Sequence, residues 1–136
     1  MALQYQENGN LYPGIYQLSW EEFKENYGFN KHRKKLIEGI ELVIKELKAV
    51  GCKSIYIDGS FVSKKSLPND FDACWDPEGV DYKKLYEDFP IILDFQSDRK
   101  KQKQRYGGEI FPSPHFLTFF QTDRDNSPKG IIKLNI

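Results

Sequence analysis

The chain lacks any charge bias: 20 Lys and Arg residues balance 20 Asp and Glu, for a formal net charge of zero. Generic, whole-surface binding to DNA or to a membrane is therefore not expected, although a local basic patch remains compatible with that balance. It also lacks any apolar run near the roughly 20 residues of a membrane span. Met1 to Asn10 is polar, so neither a signal peptide nor a membrane partner is expected. Cysteine is scarce. Cys52 and Cys74 show neither C-x-x-C nor zinc-ligand spacing and read as reduced, buried thiols of a cytoplasmic protein. There are no internal repeats and no low-complexity segments. His115 has no Cys, Ser or second His at useful spacing, which favours a structural role over that of a general base. Asp123-x-Asp125-x-Ser127 begins like an EF-hand loop, but Pro128 and Leu134 stand where that loop needs Gly and Glu, which excludes it. Arg124 and Lys129 read as turn residues.

What is present suits one folded unit. The 136 residues, 39% hydrophobic and 29% charged, are enough for a single domain with a real core, and 15% aromatics suit a sheet. Residues 1–18 read as an irregular N-terminal arm, with Ile15 and Leu18 pinned to the core. Ser19 and Glu22 form a capping box ahead of a short helix with Trp20 and Phe23 inward, ended by Gly28. Asn30 can cap the next helix. There Leu36, Ile40, Val43, Ile44 and Leu47 make one apolar stripe, and Gly51 stands just past its end. The first turn of that helix carries Lys31, His32, Arg33, Lys34 and Lys35, read either as a solvated face or as a phosphate- or partner-facing patch.

Ser54–Asp58 and Asp70–Trp75 read as strands, Asp81–Asp88 as a short helix with Tyr82, Leu85 and Tyr86 inward, and Ile91–Phe95 as a third strand. Gln96–Gly108, rich in Lys and Arg from Arg99 to Arg105, reads as a mobile loop or a poor helix. Phe116–Thr122 and Gly130–Ile136 read as the closing strands, antiparallel to each other.

The chemistry concentrates between Ile55 and Trp75. An apolar run ends in Gly59-Ser60, nine residues intervene, and Asp70-Phe71-Asp72 follows. On a strand, Asp70 and Asp72 share a face with Cα atoms roughly 6.6 Å apart. Carboxylates so placed repel unless a cation lies between them, and their oxygens suit Mg²⁺, with Mn²⁺ able to substitute. A Gly-Ser turn offers backbone N–H groups and a hydroxyl to a phosphate. Asp94 interrupts an apolar run, where a carboxylate costs stability unless paired or bound to metal. With Asp70 and Asp72 it makes a candidate set for two Mg²⁺ about 4 Å apart; ending its strand in solvent, or pairing with a loop Lys, is the alternative.

Gly-Ser, a spacer and Asp-x-Asp together resemble the core motif of the DNA polymerase beta-like nucleotidyltransferase superfamily. Ile57-Asp58-Gly59-Ser60-Phe61-Val62, Pro68-Asn69-Asp70-Phe71-Asp72, Ile110-Phe111-Pro112, Phe119-Phe120-Gln121-Thr122-Asp123-Arg124 and Pro128-Lys129-Gly130-Ile131 extend the likeness to a small uncharacterised bacterial family near the minimal nucleotidyltransferases, over about residues 13–136. The resemblance implies an α+β fold, a mixed, mainly antiparallel sheet with helices on one face. Gly59 and Ser60 would bind the phosphates of a nucleoside triphosphate such as ATP, with Lys65 as a further nucleotide contact. Asp70 and Asp72 would ligate Mg²⁺, and Asp94 would be the third carboxylate, helping to activate the attacking hydroxyl.

The expected activity is Mg²⁺-dependent transfer of a nucleoside monophosphate to a hydroxyl of an acceptor protein or RNA. It is compatible with a component of a toxin–antitoxin or phage-defence system and a partner protein there. Two alternatives stay open: a catalytically degenerate binding module or antitoxin, because no acceptor-selecting domain is present, and a metal-dependent nuclease, because clustered carboxylates also serve phosphodiester hydrolysis.

Overall fold

The Leu36, Ile40, Val43 and Leu47 stripe forms the longest helix, α2 (Lys31–Ala49), and all four residues are buried. Asn30 caps it, accepting from the Arg33 N–H at 2.8 Å, and Gly51, with φ of +95°, turns the chain away from its end. Before it, α1 (Trp20–Tyr27) begins with the expected capping box, the Glu22 N–H donating to Ser19 Oγ and the Ser19 N–H to Glu22 Oε1. The computed structural model describes residues 3–113, 121 and 128–136. The strand expected over Phe116–Thr122, Gln121 apart, and with it His115, Asp123, Arg124, Asp125 and Ser127, lies outside the described residues.

The described strands are β1 (Ile15–Leu18), β2 (Ser54–Asp58), β3 (Phe71–Trp75), β4 (Gly108–Pro112) and β5 (Ile131–Asn135), in the sheet order β1-β5-β2-β3-β4. The central β2 runs antiparallel to both β5 and β3, while the outer pairs β1–β5 and β3–β4 are parallel. The result is a mixed α+β fold with helices packed against the sheet. The side-chain alternation of strands divides it into two faces. Ile55, Ile57, Phe71, Ala73, Trp75, Ile110, Ile132 and Leu134 join the helices in the main core. Cys74, Phe111 and Ile131 form a smaller cluster with Tyr56 on the other face, to which no helical residue among those described contributes.

Several elements differ from the expectation, each for a local reason. The N-terminal arm is structured: Leu11 is fully buried and β1 pairs with β5, while Ile15 stays exposed. The Ile91–Phe95 run is not a strand. Pro90 starts a 3-10 turn (Pro90–Leu93), with Asp94 just past its end, because Pro suits a first helical turn. The basic segment is ordered: Lys100–Tyr106 forms α4, tied down by the fully buried Gln102. Its Nε2 donates to the carbonyls of Ile91 and Ile92, and its Oε1 accepts from the Ile110 N–H at 2.9 Å. The end of α4 presses on α2 so closely that a Cβ at Gly39 would lie 1.7 Å from the Tyr106 carbonyl oxygen. In the short helix α3 (Tyr82–Asp88), Leu85 is buried, whereas Tyr82 and Tyr86 are exposed.

One residue of the basic turn that opens α2 is buried. Arg33 is fully enclosed, with its guanidinium carbon 4.4 Å from the Phe29 ring centre and 4.9 Å from that of Phe61. Its N–H groups donate to the carbonyls of Tyr27, Phe61, Ser63 and Lys65 at 2.6–3.2 Å. Asn30 Nδ2 donates to the Ser66 carbonyl, and the His32 ring meets that of Pro68. The start of α2 therefore holds the whole loop that follows Gly59-Ser60. Burial pulls the Arg33 pKa below its usual value, yet a guanidinium remains charged at any physiological pH. Arg33→Ala is expected to lower the unfolding free energy by about 3–5 kcal/mol, since it strands several buried carbonyls at once. Arg33→Lys should recover less than half, because an ammonium cannot fork to four acceptors. A urea titration of both variants checks this, and a loss below about 1 kcal/mol for Arg33→Ala would contradict it.

Candidate functional site

Two strand pairings place carboxylates in a row. Asp58, the last residue of β2, stands opposite Asp72 on β3, and Asp72 stands beside Glu109 on β4. All three belong to the alternation of Tyr56, Cys74 and Phe111, so they project from the sheet face opposite the helices. Asp70 precedes β3 by one residue and shares the face of Asp72 two positions on.

The turn after β2 closes against this row. Gly59–Val62 is one 3-10 turn, and Gly59 has φ of +81°; a Cβ there would come within 2.7 Å of Asp72 Oδ2. Glycine is therefore required twice, for the left-handed backbone and for the space. Ser60 is half-buried, and its carbonyl accepts from Ser63 Oγ at 2.5 Å. Lys65 contributes its carbonyl to Arg33 while its side chain is exposed.

Asp94 does not join the row on a strand of the sheet. It follows the 3-10 turn, its Oδ1 accepting from the Gln96 N–H at 3.1 Å and its Oδ2 lying 3.6 Å from Lys101 Nζ. The alternative of pairing with a nearby Lys is the one the structure bears out. The position in register with Asp72 on the neighbouring strand belongs to Glu109, which sequence reasoning missed. The signal is slight: Glu109 sits in a polar–apolar alternation only a few residues long, with Pro112 inside it.

The row is electrostatically tense. Burial, then the neighbouring charges of Asp70, Asp58 and Glu109, push the Asp72 carboxyl up to about 7. Burial raises Asp58 to about 6, against the pull of Lys129 and the Gly59 N–H. Lys129 Nζ lies 3.1 Å from Asp58 Oδ1, an ion pair out of hydrogen-bond alignment. On the other flank Lys103 Nζ stands 2.9 Å from Glu109 Oε1, and that contact raises the lysine pKa. The basic segment thus reaches the site through Lys103, while Lys101 and Arg105 are paired with Asp94 and Glu46. Among the described residues, no three His, Cys, Asp or Glu side chains converge as a ready-made metal cage.

A carboxyl whose folded pKa is raised favours the fold while protonated and stops doing so as pH climbs from its unfolded value through the folded one. With divalent cations chelated, this row should cost stability between about pH 4 and pH 7, a window set by the raised values of Asp72 and Asp58. Asp72→Asn should then be more stable than the native chain at pH 8, by on the order of 2 kcal/mol. The gain should vanish near pH 4. Thermal melts in EDTA across that range measure it, and equal melting temperatures at pH 8 would show that the strain is absent.

No curated protein and no solved structure matches the chain. A family model does match, over residues 3–135, nearly the whole length. The chain belongs to that family, described as a family of unknown function, DUF6932.

Proposed function

We propose that this protein is a Mg²⁺-dependent nucleotidyltransferase, using the Asp70, Asp72 and Glu109 carboxylates with the Gly59-Ser60 turn. The observation that carries the reading is the register Asp58–Asp72–Glu109 on the sheet face opposite the helices, with Gly59 packed against the central carboxylate. The donor set fits Mg²⁺. The oxygens are hard, and Mg²⁺ commonly takes one or two carboxylates, several waters and substrate phosphates rather than an all-protein cage. The lack of a preformed cage among the described residues is compatible with that habit. The raised Asp72 carboxyl also supports the fit, since a cation beside it would relieve the repulsion from Asp70, Asp58 and Glu109.

Bound Mg²⁺ would neutralise charge on the phosphates and align them for in-line displacement. Asp70 and Asp72 would hold it. The Gly59-Ser60 turn would meet the triphosphate, approaching closely because Gly59 has no side chain. The acceptor hydroxyl oxygen bonds to the α-phosphorus as the bond to pyrophosphate breaks. Glu109 takes the hydroxyl proton, its carboxylate oriented by Lys103. Asp94, paired with Lys101 off the sheet, has no part in this scheme.

A second reading has its own observation. Lys129 and Lys103 already neutralise the two ends of the row, as they would in a degenerate domain that binds a partner and transfers nothing.

Calorimetry and labelling separate the two. The native chain should bind Mg²⁺-ATP, or another triphosphate of the set tested, and transfer label to an acceptor in cell extract. Asp70→Asn and Asp72→Asn should lose both properties. Glu109→Gln should still bind but transfer at least about 100-fold more slowly, the usual scale of a lost general base. If no Mg²⁺-triphosphate binds the native chain, the transferase reading fails; binding without transfer favours the second reading.

A further inference from the structure

Ser97, Asp98 and Arg99 have φ of +52°, +54° and +59°, and are the non-glycine residues of positive φ among those described. Left-handed backbone costs an ordinary residue roughly 1–2 kcal/mol, and here it is adopted three times in succession. The turn lays the Arg99 side chain on the sheet face that carries the carboxylates. Its guanidinium carbon lies 4.0 Å from the ring centre of Phe111 and 5.0 Å from that of Phe95. Phe111 is two residues beyond Glu109 on the same face of β4, about 6.6 Å along the strand. Arg99 Nε is buried with no hydrogen-bond partner among the described residues. Lys101, Lys103 and Arg105 each face a carboxylate, but no ion pair involves Arg99 among the described residues. An open cleft of about 340 Å³ beside the same turn is lined by Ser97, Asp98, Lys100, Lys103 and Gln104.

We infer that Arg99 is an oxyanion-binding residue that grips a phosphate group of the nucleotide, on the Phe111 side of the carboxylate row. The inference rests on the reading of that row as a nucleotide site. Stacking on an aromatic ring fixes the guanidinium plane and leaves its N–H edge for a planar, two-pronged contact, which matches phosphate. A buried donor without an acceptor is a cost that an incoming oxyanion removes. The arrangement also divides the charge sensibly. Carboxylates alone would repel a triphosphate, whereas cation-bearing Asp70 and Asp72 on one side and Arg99 on the other would hold it from both.

The test compares binding of Mg²⁺-tripolyphosphate and Mg²⁺-ATP to the native chain, Arg99→Ala, Arg99→Gln and Arg99→Lys by calorimetry. Both ligands should bind the native chain and weaken at least about tenfold in the Ala and Gln variants, the loss expected for a charge-assisted, two-pronged contact. Lys should fall between. Melting temperatures should stay level or rise, because an unpaired buried donor is removed; Arg99→Gln, which keeps most of the stem, guards against a packing defect in Arg99→Ala. Unchanged affinity in all three variants would overturn the role of Arg99 and leave the transferase reading standing. Arg99-dependent binding without any nucleotidyl transfer would do the reverse. A native chain that binds neither ligand overturns both.

Discussion

Arg33 fixes the ground on which the candidate site stands. A loop that leaves a strand and returns after twelve residues exposes carbonyls that a helix or sheet would have used. Here one side chain satisfies three of them, and the Tyr27 carbonyl of α1 besides, with Asn30 and His32 taking two more. The N-terminal arm adds a clasp from the other side, the Lys64 N–H donating to the Gly9 carbonyl and Asn10 bridging to Ser63. A guanidinium buried without a carboxylate is normally expensive. It is tolerated because every N–H direction is met and two rings cover its faces. The position of Gly59-Ser60 relative to Asp72 therefore follows from the first turn of α2, far away in sequence.

The carboxylate row illustrates the opposite use of charge. Asp58, Asp72 and Glu109 come from three different strands and are adjacent because of register alone. Their like charges weaken the fold, and Lys129 and Lys103 offset this only at the flanks. A sheet optimised for stability would place β-branched or aromatic residues there. Tension of this kind, held where β2 ends beside an obligatory glycine, is what functional sites carry in exchange for stability.

The sequence made legible whatever was local or strongly periodic. The capping box at Ser19, the α2 stripe, the Asn30 cap, the strands that carry Asp58 and Asp72, and the Gly59 turn all depend on neighbours a few residues apart. It misled where length was too short for period to decide. Ile91–Phe95 has the composition of a strand, yet Pro90 and the carboxamide of Gln102 make it a turn. Asp94, at the end of that run, stands off the sheet beside Lys101, and Glu109 takes the place in register with Asp72. Which carboxylate stands beside Asp72 is a fact of the parallel β3–β4 pairing, and nothing near Glu109 in sequence reveals that pairing. The Lys31–Lys35 cluster hid a buried residue for a related reason, since the carbonyls that hold Arg33 come mostly from some 30 residues away.

Arg33 and Arg99 together show why arginine count says little about function. Both lie between two aromatic side chains, and neither has a carboxylate within ion-pair reach among the described residues. What separates them is satisfaction. Every acceptor that Arg33 needs is built into the chain, so its charge is spent on structure and nothing is left for a ligand. Arg99 has its rings and its orientation but, at Nε, no acceptor among the described residues. The left-handed turn that presents it costs energy, and the one bond it gives Arg99 among the described residues, from the backbone N–H to the Gln96 carbonyl at 2.9 Å, leaves the guanidinium Nε unmet. An arrangement that is costly, oriented and incomplete, on the same face as the carboxylates, is better explained by a ligand than by folding.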